Sequence, residues 1–216
     1  IMTNEAVKKK NSFKPKSVLS KPVITTRMLV SIALCSAIAY VLMLIEIAIP
    51  IVPSFVKFDF SDLPALICVF TFGPLAGVFV ELIKNLLHLL TTHTMGVGEL
   101  SNFILGCCLV IPAGIIYKKN RTRKGALIGM LVGTLCFAAM GFFSNYFIVF
   151  PFYINAMGFP MDAIIEMGTK ISPILDSELK LIALCITPYN IFKGVIISIL
   201  TFLLYKRLKP ILKGKA

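Results

Sequence analysis

Long apolar runs constrain this chain more than any other feature of its sequence. Several runs of about 20 residues carry few charges, which is the length that an α-helix needs to cross the hydrocarbon core of a bilayer. Apolar residues make up 57% of the 216 positions, and charged residues only 15%. These proportions exclude an ordinary water-soluble enzyme. The sequence therefore predicts an integral membrane protein surrounded by membrane lipid.

The positive charges are concentrated in three short segments. The chain has 22 lysines and arginines against 10 acids, a formal net charge of +12. Most of the basic residues lie before the first apolar run, in the linker 118-124, and after the last run. An even number of crossings places these segments on one side, which the positive-inside rule makes cytoplasmic. This sorting by topology argues against a nucleic-acid partner.

We predict an all-α membrane protein with six transmembrane helices in one bundle and both termini in the cytoplasm. The membrane domain is expected to cover residues 25-205. A basic cytoplasmic tail at 1-24, expected to be disordered, precedes it, and a second basic tail at 206-216 follows it.

The predicted spans are bounded by proline and glycine. In chain order they cover 25-49, 63-72, the run from there to Leu90, 98-117, 125-150 and 179-205. The second span is short, so it must begin within the preceding polar loop if the number of crossings is to be even. The connection 151-178 is the longest and is expected to hold a short helix.

The sequence offers no constellation typical of catalysis or of a metal site. The six cysteines lie inside apolar runs without C-x-x-C spacing or flanking histidines, so we interpret them as packing residues. No convincing nucleophile and base occur together. The G-x-x-x-x-G-K-[ST] motif is also absent from the sequence, so any ATP-driven process would need partner subunits. We expect no enzyme activity, no metal and no resident cofactor.

Polar side chains recur at helical spacing on several predicted spans. They are Glu81, Lys84, Asn85 and His88 on the third span, Glu99 and Asn102 on the fourth, Asn145 on the fifth, and Asn190 and Lys193 on the sixth. Because polar groups are costly in lipid, those that persist usually face a cavity or one another. Lys193 lies about 21 Å below the outer start of its helix, too deep to snorkel comfortably. We therefore expect Asn190 and Lys193 to contact a substrate.

The stripe on the third span has two interpretations. Glu81 and Lys84 form either a pair that neutralises itself inside the bundle or part of a ligand site. His88 is either a proton relay or an interfacial hydrogen-bonding residue. The spacing leaves both questions open.

The polar loop before the second span also has two interpretations. In residues 57-64, Ser61 or Asp62 can cap the following helix, and Phe58 and Phe60 can form part of a pocket wall. All four arginines of the chain lie on the predicted inner side. An outward-facing pocket would then lack a bidentate clamp for phosphate or carboxylate, which favours an uncharged ligand.

Ala33 and Ala37 place small side chains one turn apart on the first span. Such spacing permits close approach of a second helix. That helix belongs either to a partner protein or to this bundle, and the spacing alone does not decide between them.

Four motifs occur in order along the chain: K-F-D-F-S-D-L-P, G-P-L-A-G-V-F-V-E-L-I-K-N-L-L-H, G-V-G-E-L-S-N-F and P-Y-N-I-F-K. Together they resemble the riboflavin-specific substrate-binding component of energy-coupling-factor vitamin transporters, over residues 25-205. The resemblance implies a six-helix bundle in the cell membrane of a prokaryote that captures riboflavin from outside, as a transported ligand. It also implies a partner module made of a transmembrane coupling protein and two ATPase subunits, with Ala33 and Ala37 docking the coupling protein.

The resemblance further implies a set of flavin-binding residues. Carried over to this sequence, they are Glu99, Asn102, Asn145, Asn190 and Lys193. Asn190 and Lys193 would meet the pyrimidine edge of the isoalloxazine ring, and the other three would meet the ribityl tail. Phe58 and Phe60 would enclose the ring.

Two other classes of protein remain as alternatives. An ion-coupled secondary carrier for a small neutral solute would use Glu81, His88 or Glu99 as its ion site and would work without ATP. A membrane-embedded enzyme is the more distant alternative, because it would need a catalytic constellation.

Overall fold

The computed structural model describes residues 25–53 and 55–213, and the predicted tail 1-24 lies outside them. The described residues form seven helices. They are α1 Thr26–Leu44, α2 Asp62–Phe72, α3 Pro74–His88, α4 Val97–Lys119, α5 Arg123–Asn155, α6 Met161–Ile171, and α7 from Glu178 to Lys213. Two short strands, β1 Ile47–Ala48 and β2 Lys57–Phe58, pair antiparallel in the loop between α1 and α2. The helix expected in the connection 151-178 is α6.

Five of these helices are long and apolar enough to cross a membrane: α1, α3 with its 3₁₀ extension, α4, α5 and α7. The chain is therefore embedded in a membrane. The predicted second span is the exception, because α2 has 11 residues and is about 16 Å long, against a hydrocarbon thickness of about 30 Å. Almost all of its side chains are buried by the surrounding helices.

One boundary of the predicted spans differs because a helix continues through proline. Pro151 was expected to end the fifth span, and α5 instead runs on to Asn155. The N–H of the preceding residue, Phe150, bonds to the carbonyl of Asn145, five residues back. This widened π-helical turn accommodates a ring that would clash with an ordinary helical turn.

The same arrangement occurs in α7. The N–H of Thr187, just before Pro188, bonds to the carbonyl of Ile182, and the Thr187 hydroxyl donates to the same carbonyl at 2.9 Å. The helix then continues past Tyr205 to Lys213, into the predicted tail 206-216. Both π-helical turns lie beside the cavity described below.

Two apolar cores stabilise the bundle. The first joins buried side chains of α1 to α5 and α7, including Leu66, Leu109 and Phe137. The second joins the α1–α2 loop, the final part of α5, α6 and the first part of α7, including Phe150 and Ile182. All six cysteines are free thiols, buried or half-buried in helices, in agreement with a packing role. The second core forms part of the framework of the candidate site.

Candidate binding cavity

A cavity of about 400 Å³ opens at the end of the bundle opposite the linker 118–124. Its walls come from the α1–α2 loop, the end of α3, the start of α4, the later part of α5, α6 and the first half of α7. The volume falls within the range of small-molecule sites. All five polar residues expected to bind a ligand line it: Glu99, Asn102, Asn145, Asn190 and Lys193.

Phe58 and Phe60, expected in the pocket wall, lie outside the described residues that line this cavity. Their rings pack edge to face on each other with centroids 5.0 Å apart, and Phe58 is buried in the second core. Side chains alternate between the two faces of extended backbone. Lys57 and Asp59 therefore face the cavity while the two phenylalanines face the core.

Lys193 is paired with a carboxylate that the sequence interpretation did not connect to it. Its Nζ lies 2.7 Å from Asp59 Oδ2 and 3.6 Å from Asp62 Oδ2. Asp59 also accepts a hydrogen bond from the backbone N–H of Ser61 at 2.8 Å. An ammonium and an N–H donor thus both contact the carboxylate, which favours its ionised form.

Asn190 lies one helical turn from Lys193 and also lines the cavity. Among the described residues its Nδ2 has no hydrogen-bond partner, and neither has the hydroxyl of Tyr189. A buried polar group without a partner costs about 1–3 kcal/mol. These two groups are therefore poised to bond a ligand in the cavity.

Lys84 lies deeper in the bundle, outside the described residues that line the cavity. Its Nζ lies 2.5 Å from Asp62 Oδ1, 2.8 Å from Glu81 Oε2 and 2.9 Å from Ser61 Oγ. Of the two interpretations of the third span, this geometry favours a pair neutralised inside the bundle. Asp62 contributes to this cluster, and Ser61 makes no side-chain cap on α2.

A second polar cluster lies at the mouth of the cavity. Glu99 Oε1 is 2.8 Å from His88 Nδ1, and Oε2 accepts hydrogen bonds from the hydroxyls of Thr92 and Thr94, both at 3.0 Å. His88 is therefore a hydrogen-bonding partner of Glu99. Asn145 also lines the cavity, and its Nδ2 donates a hydrogen bond to the carbonyl of Gly141 at 2.7 Å.

Asn102 Nδ2 lies 4.0 Å from the Met43 sulfur, a weak contact that leaves most of its hydrogen-bonding capacity for a ligand. The rest of the wall is apolar or aromatic, and it includes Phe55, Leu105, Phe137, Tyr153 and Phe159. Such walls with a few convergent polar groups are typical of sites for flat, partly polar molecules.

The positive charges of the lysines that line the cavity are already matched. Both lysines among the described lining residues are paired with carboxylates, Lys193 with Asp59 and Lys57 with Glu46. In the described part of the chain, no group of three or more His, Cys, Asp or Glu side chains has the arrangement of a metal site. The cavity therefore fits an uncharged ligand better than an anion.

Ala33 and Ala37 lie on a face of α1 that the described bundle leaves exposed. Between them, Ser36 is buried, and its hydroxyl donates to the carbonyl of Ile32 at 2.8 Å. Leu34, like the two alanines, is exposed. The alanine pair thus does not pack helices within this bundle.

Known proteins resemble the chain along most of its length. The family model described as "ECF transporter, substrate-specific component" matches residues 27–205. The riboflavin transporter RibU of Staphylococcus aureus (strain TCH60) is 37% identical over 185 residues, 86% of this chain and 92% of that protein. The riboflavin transporter FmnP of Bacillus subtilis (strain 168) is 34% identical over 186 residues, 84% and 92% of the two chains.

The fold is also shared with a solved structure. The chain described as "Structure and mechanism of the S component of a bacterial ECF transporter" matches with a TM-score of 0.68 and 36% identity, over 87% of this chain and 98% of that one. The family match, the relatives and the shared fold agree with one another. The chain therefore belongs to the substrate-specific components of ECF transporters.

Proposed function

We propose that this protein is the riboflavin-binding component of an ATP-dependent vitamin importer of the energy-coupling-factor type. The single observation that supports this most is the cavity, which gathers Glu99, Asn102, Asn145, Asn190 and Lys193 inside apolar and aromatic walls. The two relatives described above are both named as riboflavin transporters. In this proposal riboflavin is cargo, and the chain itself performs no catalysis.

The chemistry of riboflavin matches the two ends of the cavity. The pyrimidine edge of its ring presents carbonyl acceptors and one N–H donor, which the Lys193 ammonium and the Asn190 amide complement. The neutral hydroxyls of the ribityl tail would meet Glu99, Asn102 and Asn145. The flat ring would lie against the aromatic and apolar wall, where Phe55 and Tyr153 occupy the role expected for Phe58 and Phe60.

The paired lysines favour a neutral cargo. A phosphorylated flavin would bring a charge close to −2 into a cavity whose lysines are already neutralised by Asp59 and Glu46. The cost of leaving polar groups unpaired also disfavours flavins that lack the tail.

For the topology, we propose that α2 and the loop before it make one crossing together. The burial of α2 supports this, because its polar first turn bonds inside the protein and avoids lipid. Six crossings then place the basic segments and both termini in the cytoplasm. The membrane domain would extend over residues 25-205 between the tails 1-24 and 206-216.

For the partners, we propose that Ala33 and Ala37 dock the transmembrane coupling protein, which carries two ATPase subunits. The exposed alanine face of α1 supports this. Ala37→Phe should abolish riboflavin uptake by cells while leaving riboflavin binding by the purified protein unchanged. Loss of binding in the purified variant would contradict this division of roles.

The most direct test of the proposed function uses the purified protein in detergent. It would be incubated with riboflavin and desalted, and the retained flavin measured by absorbance and fluorescence. We expect close to one flavin per chain, with quenched emission. Folded protein that retains no riboflavin would contradict the proposal.

An ion-coupled carrier is less well supported, because its candidate ion sites are already engaged. Glu81 lies against Lys84, and Glu99 is bonded to His88 and two threonines. Uptake by the chain alone in vesicles, driven by an ion gradient without ATP, would favour the carrier instead.

A further inference from the structure

Lys193 and Asp59 form a buried ion pair across the cavity floor, although they lie 134 positions apart in the chain. Asp59 comes from the loop before α2, and Lys193 comes from the middle of α7. Both side chains are nearly inaccessible to solvent. The pair therefore ties a loop to a helix at the point where the cavity meets the bundle interior.

We propose that Asp59 is a positioning residue that fixes the Lys193 ammonium for riboflavin. This inference rests on the proposed function, in which Lys193 contacts the flavin ring. A lysine side chain has a flexible four-carbon stem and a compact charge, so its ammonium needs a fixed partner to hold one position. The Asp59 carboxylate supplies that partner at 2.7 Å.

Asp59 is itself held in place. Its Oδ1 accepts the backbone N–H of Ser61 at 2.8 Å, while its Oδ2 contacts Lys193. Each oxygen therefore has its own hydrogen-bond partner, and the carboxylate cannot rotate without losing one of these contacts. A fixed carboxylate gives the ammonium a fixed direction.

Asp62 and Lys84 form a second layer behind this pair. Asp62 Oδ1 lies 2.5 Å from Lys84, and Asp62 Oδ2 lies 3.6 Å from Lys193. Asp62 is completely buried, and its contact with Lys84 through Oδ1 fixes its orientation. Lys193 thus has a close carboxylate that orients it and a more distant one that adds attraction.

An ammonium carries three N–H donors. Within the described residues Lys193 makes one hydrogen bond, to Asp59. The other donors are available to the carbonyl groups of the flavin edge. Asp59 thereby acts on the ligand through Lys193.

The test is a double-mutant cycle on riboflavin affinity. The purified full chain would be titrated with riboflavin as wild type, Asp59→Asn, Lys193→Met and the double variant. Asp59→Asn should weaken riboflavin binding roughly 30-fold or more, as for loss of one partner of a buried charge pair. In the Lys193→Met background, Asp59→Asn should change the affinity less than about threefold, because the residue it positions is gone.

Asp176→Asn is the matched control, since it neutralises an aspartate paired with a lysine, Lys180, in an exposed setting. It should leave riboflavin binding unchanged. Asp59→Glu keeps the negative charge and lengthens the side chain by one methylene. It therefore tests positioning even if Asp59→Asn does not fold. It should weaken binding in the wild-type background and have no effect in the Lys193→Met background.

Equal losses from an Asp59 variant in both backgrounds would overturn the inference, because Asp59 would then act independently of Lys193. Wild-type affinity in Asp59→Asn would overturn it as well. If the folded wild-type protein bound no riboflavin, the proposed function would fail and this inference with it. The two failures are distinguishable. If the protein binds riboflavin and the effects of the Asp59 and Lys193 substitutions simply add, only the positioning role is contradicted.

Discussion

Lys84 and Lys193 are two buried lysines that face opposite oxygens of the same carboxylate, Asp62. Their side chains are 0% and 6% exposed. Lys84 has three close oxygen partners and lies away from the cavity: it hydrogen-bonds Asp62 and Ser61 and forms an ion pair with Glu81. Lys193 has one close partner and lines the cavity. Burial alone therefore does not distinguish a structural lysine from a ligand-binding one, whereas the number of close oxygen partners does.

The same contrast separates the acids around them. Glu81 is completely buried, lies against Lys84, and is not among the described residues that line the cavity. Asp59 serves Lys193 and lines the cavity. We therefore propose that Lys84 and Glu81 contribute to stability, that Lys193 binds the ligand, and that Asp59 positions Lys193.

Lys84→Met should have the largest effect, and the effect should fall on stability. It leaves Asp62 and Glu81 buried without their cation, which typically costs about 3–5 kcal/mol. Thermal unfolding in detergent should show a clear loss. The riboflavin affinity of the remaining folded protein should fall less than about tenfold, and a loss of binding without a loss of stability would break the comparison.

Lys193→Met should have the opposite profile. We expect riboflavin binding to weaken about 100-fold, since a charged hydrogen bond to the ligand is removed and Asp59 is left unpaired. Stability should fall less than in Lys84→Met, because Asp59 borders a cavity that water can enter. Fluorescence titration and thermal unfolding of the same sample would measure both. Unchanged riboflavin affinity would contradict the binding role.

Two glycines provide a smaller, matched test. A Cβ at Gly141 would lie 2.1 Å from Asn190 Nδ2, and a Cβ at Gly106 would lie 2.2 Å from Glu81 Oε2. Each alanine would displace the nearby side chain, at a cost of about 1–3 kcal/mol in stability. Gly141→Ala should in addition weaken riboflavin binding, because it displaces Asn190, whereas Gly106→Ala should lower the unfolding temperature with little effect on binding. If Gly106→Ala weakened binding and Gly141→Ala affected stability alone, the assignment of Asn190 to binding and of Glu81 to stability would be contradicted.

Lys57→Met should have the smallest effect. Lys57 is paired with Glu46 in a partly exposed setting at the cavity mouth, where an ion pair contributes at most about 1 kcal/mol. Riboflavin affinity should stay within about threefold of wild type. A larger loss would show that the mouth lysine, too, contacts the ligand.

Much of this arrangement follows from the sequence. The membrane helices follow from apolar runs, and Asn190 and Lys193 follow as ligand candidates from the cost of polar groups in lipid. Glu99, Asn102 and Asn145 follow from the family resemblance. The spacing also places Ala33 and Ala37 on one face of α1, and the structure shows that this face is exposed while Cys35 is buried. These are local patterns, which a sequence carries directly.

The remaining features depend on contacts that local patterns do not encode. The pairing of Asp59 with Lys193 joins distant segments, and only the fold brings them together. The alternation that turns Phe58 away from the cavity depends on a two-residue strand too short to predict. α5 also continues through Pro151, where an end was expected, because a π-helical turn accommodates the proline as another does at Pro188 in α7.

The most direct test of the difference between the two lysines is an experimental structure of the protein with riboflavin bound. We expect atoms of the flavin ring within hydrogen-bonding distance of Lys193 Nζ and Asn190 Nδ2. Lys84 should keep its contacts with Asp62, Glu81 and Ser61 and make none with the flavin. A flavin bound elsewhere, or one in contact with Lys84, would contradict the account.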